Sequence, residues 1–171
     1  HAGVFDTMMD VMTKAKTALG APYHVAGGDG VHPSANGQLA MAYAFLRGLG
    51  LDGALATIGL DWANGAAEAS EGHQVLESKD GVVTLESARY PYCFSGGVAD
   101  PDGTASITPF LPFNEELNRF LFSVRNLPMP KAEVQWGDAR KEFSREQLEA
   151  GINLAAEFPE GPFKAPFETV M

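Results

Sequence analysis

Apolar positions fall into two regimes along the chain: helical spacing up to the glycines near residue 50, and alternating spacing beyond them. Met8, Met12, Ala15 and Leu19 recur at helical intervals and predict a helix over residues 7–19, with Asp6 as its N-cap and Gly20 as its stop. The methionines read as core packing, because an unbranched thioether fills irregular gaps. Leu39, Ala42, Tyr43, Leu46 and Leu49 form one stripe and predict a second helix over residues 35–49, capped by Ser34 and ended by Gly50. Between the two, Pro22 opens a short extended piece, Tyr23–Ala26, and the glycine-rich loop Gly27–Gly37 follows. Helix, extended piece, loop and helix in quick succession make an αβα fragment, as at the end of an α/β sandwich.

Gly50–Gly53 reads as a junction between residues 1–50 and a β-rich region over residues 51–171. Ala54–Leu60 and His73–Ser78 are strand candidates, and Val82–Ser87 follows across Lys79-Asp80-Gly81, a hairpin signal. Tyr90–Phe94 is a further candidate, and Gly96–Thr104 reads as loop. In Asn118–Asn126 the residues Phe120, Phe122 and Val124 share one face, which predicts a strand. Ala132–Trp136 is another, followed by a turn at Gly137-Asp138. Ser144 and Gln147 make a capping box for one helix near residues 144–155, with Gly151 as its weak point. The tail from Pro159, rich in Pro and Phe without periodicity, reads as a segment laid across a surface. Trp62, Trp136 and the clustered Phe residues are read as core in preference to a sugar-binding platform.

Composition narrows the partners. Lys and Arg total 12 against 22 Asp and Glu, a net charge of −10, which disfavours nucleic acid and anionic membrane surfaces. No apolar run has the length to cross a bilayer. One cysteine, Cys93, excludes an internal disulfide framework. The chain opens on His1 and not Met, which points to residues upstream.

The candidate chemistry lies in the glycine loop, Gly27-Gly-Asp-Gly-Val-His-Pro-Ser-Ala-Asn-Gly37. Asp29 and His32 are three residues apart, with Gly30 permitting a tight turn between them and Pro33 fixing the chain just after the imidazole. Such a turn can set a carboxylate on a ring nitrogen, two thirds of a Ser-His-Asp triad. The order G-x-G-x-x-G is absent and no P-loop lysine follows, so the glycines do not read as a phosphate cradle. A nucleophile is harder to find. Ser95 lies in Cys93-Phe-Ser-Gly-Gly97, which is not the Gly-x-Ser-x-Gly elbow. Ser34 is better used as a cap, and Cys93 in aromatic surroundings reads as inert. His24, Asp29 and His32 could supply three metal ligands, but their spacing matches no metal motif, and His24 and His73 read as surface or satisfied structural histidines.

Gly-Asp-Gly-Val-His-Pro-Ser-Ala-Asn-Gly followed by Met-Ala-Tyr-Ala-Phe-Leu resembles the last sequence block of the SGNH, or GDSL-type, serine hydrolases. Phe113-Asn-Glu-Glu-Leu117, Val134-Gln-Trp-Gly137 and Gly151-Ile-Asn-Leu-Ala155 are similar to the C-terminal extension of a bacterial subgroup of that family. The resemblance implies that His32 is the general base and Asp29 its orienting partner. It implies a fold, too: residues 1–50 as the C-terminal end of a flavodoxin-like α/β sandwich, and 51–171 as the β-rich extension. The family's Gly-Asp-Ser nucleophile block and its Gly-x-Asn-Asp oxyanion block are both absent from these residues. The chain is therefore expected to be the C-terminal part of an ester hydrolase whose serine lies upstream. The implied reaction needs no cofactor. Its substrate would be a small-molecule or carbohydrate ester, with acetylated carbohydrate as the family analogue. The partner of residues 1–50 would be the missing N-terminal part of the same domain. An exported location is implied by the resemblance alone. The competing expectation is a non-catalytic β-rich binding module in which the Asp-His loop is structural.

Overall fold

The computed structural model describes residues 2–170. In chain order its helices are α1 (Val4–Leu19), α2 (Ala35–Gly48), α3 (Phe113–Glu116), α4 (Arg145–Ala150), α5 (Leu154–Glu157) and α6 (Lys164–Val170), with a 3₁₀ turn at Thr104–Phe110 before α3. The strands are β1 (Ala54–Asp61), β2 (Ala66–Ala69), β3 (His73–Lys79), β4 (Val82–Ser87), β5 (Arg119–Arg125), β6 (Lys131–Trp136), β7 (Ala139–Ser144) and β8 (Ile152–Asn153). The chain is thus a mixed α/β protein, and it divides into two compact units. Residues 1–53 and 94–117 form the first, residues 54–93 and 118–171 the second.

The first unit is helical. Helix α1 starts at Val4 with Gly3 as N-cap, so Asp6 sits in its first turn and not at the cap, where its charge still favours the positive helix end. Gly20 ends the helix with φ +98°. Its buried line, Val11 and Ala15, meets Ala40 of α2 in a core completed by Tyr23, Val25, Ile107, Leu111, Phe113 and Leu117. Four of these core residues come from the 94–117 segment, whose apolar side chains are what bind it to this unit and not to the β-rich one. The unit boundary at Gly53 lies close to the junction read at Gly50–Gly53, but the single division into 1–50 and 51–171 does not describe the second visit of the chain. Tyr23–Ala26 forms no strand, and among the described residues this unit contains none, so the expected αβα fragment is two helices bridged by an irregular, partly buried segment. On α2 the fully buried face is Asn36, Gly37, Ala40 and Ala44. The expected stripe is rotated away from it: Ala42 and Leu49 are exposed, while Leu39, Tyr43 and Leu46 are partly buried.

The second unit is built on a four-stranded sheet ordered β2-β1-β5-β8. β1 and β5 run parallel, with Ile58 opposite Phe122 and Leu60 opposite Val124. Parallel neighbours need a long connection; here it includes β2, the β3–β4 hairpin and the passage through residues 94–117. Its core holds Ile58, Leu60, Phe120, Val124, Phe143, Leu148 and Ile152. Two antiparallel hairpins, β3–β4 and β6–β7, complete the β content. Tyr90–Phe94 is not a strand. The capping box of α4 is present in full: Gln147 N–H donates to Ser144 Oγ (3.2 Å) and Ser144 N–H to Gln147 Oε1 (2.9 Å). The helix expected to about residue 154 stops early, because Gly151 takes φ +94° and turns the chain into β8. The tail forms α6, and Phe158 and Phe163 pack around Trp136. Trp136 is accordingly a packing residue, whereas Trp62 at the end of β1 stays half-exposed.

Candidate active site

Asp29 and His32 meet in the loop between α1 and α2. Glycine makes the loop possible. Gly27 has φ +73°, and a Cβ on it would fall 2.0 Å from the carbonyl oxygen of His32, so only a bare backbone can close here. Gly30 (φ +76°) turns the chain, and its N–H donates to the Gly27 carbonyl at 3.2 Å.

The two oxygens of Asp29 are used differently. Oδ1 accepts the backbone N–H of Val31 (2.9 Å) and of His32 (3.0 Å). Oδ2 lies 2.6 Å from Nδ1 of His32. The hydrogen bond from the His32 ring, followed by those from the two amides, holds the Asp29 carboxyl down at about 2, below its ordinary 3.8. A carboxylate that only accepts places a proton on Nδ1, so in the neutral form of the ring Nε2 carries the lone pair. The His32 side chain is 85% exposed, and the Asp29 side chain 55%. This is a proton acceptor of fixed tautomer offered on an open surface.

A pH consequence follows from the depressed Asp29 pKa. Any stability the pair contributes is present above the unfolded value near 3.8 and is lost as pH falls through about 2. NMR titration of the Asp29 carboxyl carbon should find its midpoint near 2, moving up toward 3.8 in His32→Ala. An unmoved midpoint in that variant would show that the imidazole is not the cause.

The other residues weighed as candidates go elsewhere. Ser95 Oγ lies 3.2 Å from Thr104 Oγ1, with Ser95 N–H also donating to Thr104. Burial pushes the Cys93 thiol up, away from a reactive thiolate. Ser34 occupies the N-cap position of α2, but its side chain makes no capping hydrogen bond. Among the described residues no three His, Cys, Asp or Glu side chains converge on a metal position, so His24 does not join Asp29 and His32. The His24 Nδ1 is buried without a hydrogen-bond partner among the described residues. His73 is held at both nitrogens: Nε2 donates to the Leu55 carbonyl (2.8 Å), and Nδ1 accepts from Ser87 Oγ (2.9 Å). That is a structural histidine.

Asn36 is not among the residues that stand out by their chemistry, yet it is fully buried and ties the loop down through its amide. Its signal is local: Asn36 and Gly37, both poor helix formers, follow Ala35 in the first turn of α2, shortly after the His32-Pro33 pair.

No protein-family model and no curated protein matches this chain. A solved structure described as "BT4096 a gut microbial diltiazem-metabolizing enzyme" is similar, with a TM-score of 0.70 and 24% sequence identity. The likeness covers 92% of this chain and 37% of that one, so this chain spans little more than a third of its structural neighbour. At that identity it is a likeness of fold.

Proposed function

We propose that residues 1–171 carry the base-and-orienter half of a serine ester hydrolase of the SGNH, or GDSL, type, with the nucleophile and oxyanion hole supplied by residues outside this chain. The observation that carries the reading is the 2.6 Å contact of Asp29 Oδ2 with His32 Nδ1 on an exposed loop, which leaves Nε2 free to take a proton. Support also comes from Ser95, whose Oγ lies 3.2 Å from Thr104 Oγ1 and not on His32, and from the neighbour's length and its description as an enzyme. Phe5 and Leu19 of α1, Phe45 of α2 and its C-cap Leu49 stay exposed, as expected if an upstream sheet covers these helices. On this reading, unit 1 holds the end of a flavodoxin-like sandwich, and the β-rich unit is the extension.

The reaction is acyl-ester hydrolysis. His32 Nε2 accepts the serine proton as the hydroxyl attacks the ester carbonyl, and Asp29 stabilises the resulting imidazolium. His32 then returns that proton to the leaving alcohol. In the second half it takes a proton from the water that attacks the acyl-enzyme, and gives that proton to the serine oxygen as the acid is released. The substrate class is a small-molecule or carbohydrate ester, and an acetylated carbohydrate is the choice that the family resemblance favours.

The division of the triad has a direct test. The 171-residue chain alone should hydrolyse p-nitrophenyl acetate no faster than its His32→Ala variant. His32-dependent turnover by this chain alone would mean that it contains its own nucleophile, and the division would be wrong.

A further inference from the structure

We infer that Asn36, by clamping both ends of the Asp29–His32 loop to the turn at residues 100–102, is the positioning residue of that pair. The inference rests on the hydrolase reading for its consequence in turnover, but its geometry stands independently. An asparagine as the second residue of a helix would normally face water or serve as a cap. Asn36 instead has none of its surface exposed. A buried amide must have its donors and acceptor satisfied, and here every one is. Nδ2 donates to the His24 carbonyl and to the Pro101 carbonyl, both at 2.8 Å. Oδ1 accepts the Gly37 N–H at 2.6 Å. The Asn36 backbone N–H donates to the Asp102 carbonyl at 3.1 Å.

These four bonds join three pieces of chain. His24 enters the glycine loop, Asn36 and Gly37 begin the helix that leaves it, and Pro101 and Asp102 come from a segment some 65 positions later. That later segment is itself fixed. Asp102 N–H donates to Asp100 Oδ1 (3.1 Å), Tyr23 Oη lies 3.0 Å from Ser106 Oγ, and Ile107 is fully buried. The exposed His32 ring has Asp29 as its hydrogen-bond partner, so its direction is set by the loop backbone, and the loop backbone is set at its ends. Removing the Asn36 amide frees both ends at once and takes from the His24 and Pro101 carbonyls the donor they share. Phe94–Leu117 is then a brace for the site, in addition to being part of the core of its unit.

The test uses the full-length protein with its upstream residues and compares Asn36→Ala, the milder Asn36→Ser and the control Tyr23→Phe. The control removes another buried hydrogen bond to the same later segment without touching the loop ends. Two readouts are taken: the downfield proton resonance of His32 Nδ1–H, and kcat and KM for p-nitrophenyl acetate. In Asn36→Ala the resonance should broaden or vanish, and kcat should fall about 10–100-fold with KM nearly unchanged, the scale expected of a misplaced catalytic group. Asn36→Ser should show a smaller change of the same kind, and it carries the test if the alanine variant does not fold. Tyr23→Phe should lose thermal stability and keep both readouts. Asn36 variants that behave like Tyr23→Phe would overturn the inference. If His32→Ala costs no activity, the hydrolase reading fails, while the resonance still decides whether Asn36 positions the pair.

Discussion

Gly37→Ala should destabilise the first unit by about 3–5 kcal/mol, among the largest effects of a single substitution. The sign is the opposite of the usual one. A Gly→Ala exchange inside a helix ordinarily gains up to about 1 kcal/mol, because alanine loses less backbone freedom on folding. Here an added methyl would fall 1.7 Å from the carbonyl oxygen of Val25, and 2.8 Å from its carbon. That oxygen is backbone in a segment packed by Tyr23 and Val25, both buried, and cannot swing aside as a flexible side chain can. The first turn of α2 would have to move away from residues 24–25, the first of which, His24, is the one the Asn36 amide holds. Thermal or urea unfolding of wild type against Gly37→Ala reads this directly. A variant as stable as wild type would mean that α2 does not approach Val25 so closely.

What could be read from the sequence was mostly what is local. The Asp29–His32 contact closes within four residues around Gly30, so spacing and turn chemistry sufficed to expect it. The Ser144–Gln147 box and the alternation of Phe120, Phe122 and Val124 are likewise short-range and present as expected. The surprises are long-range. Nothing in Gly96–Thr104 announces that Pro101 and Asp102 offer their carbonyls to Asn36, because backbone acceptors have no letter in a sequence. Tyr23–Ala26 has strand-like composition, yet the His24 carbonyl takes its hydrogen bond from the Asn36 side chain in place of a neighbouring strand. β2 is made of Ala66, Ala67, Glu68 and Ala69, residues of helical preference drawn into the sheet by pairing with β1. At Gly151 the reverse occurred: a position read as a weak point in a helix is its end, because the following Asn153 side chain accepts the N–H of Phe120 in β5.

The second large expectation concerns catalysis. If the proposed hydrolase reading holds, His32→Ala in the protein together with its upstream residues should lower kcat/KM by about 10⁶-fold, because on that reading it removes the group that takes the serine proton and protonates the leaving alcohol. Asp29→Ala should cost less, about 10⁴-fold, since the imidazole remains but loses the carboxylate that fixes its tautomer and supports its charge. The order of the two follows from the geometry: only His32 presents a free nitrogen, and Asp29 acts through it. Double replacement should cost little more than His32→Ala alone, because the two residues act as one unit.

The measurement that tests the central claim most directly is kcat/KM for p-nitrophenyl acetate in the full-length protein against its His32→Ala variant, at matched folding by circular dichroism. A fall of about 10⁶-fold is expected if His32 is the general base of an ester hydrolase. Activity within tenfold of wild type would contradict it and leave the Asp29–His32 loop a structural turn.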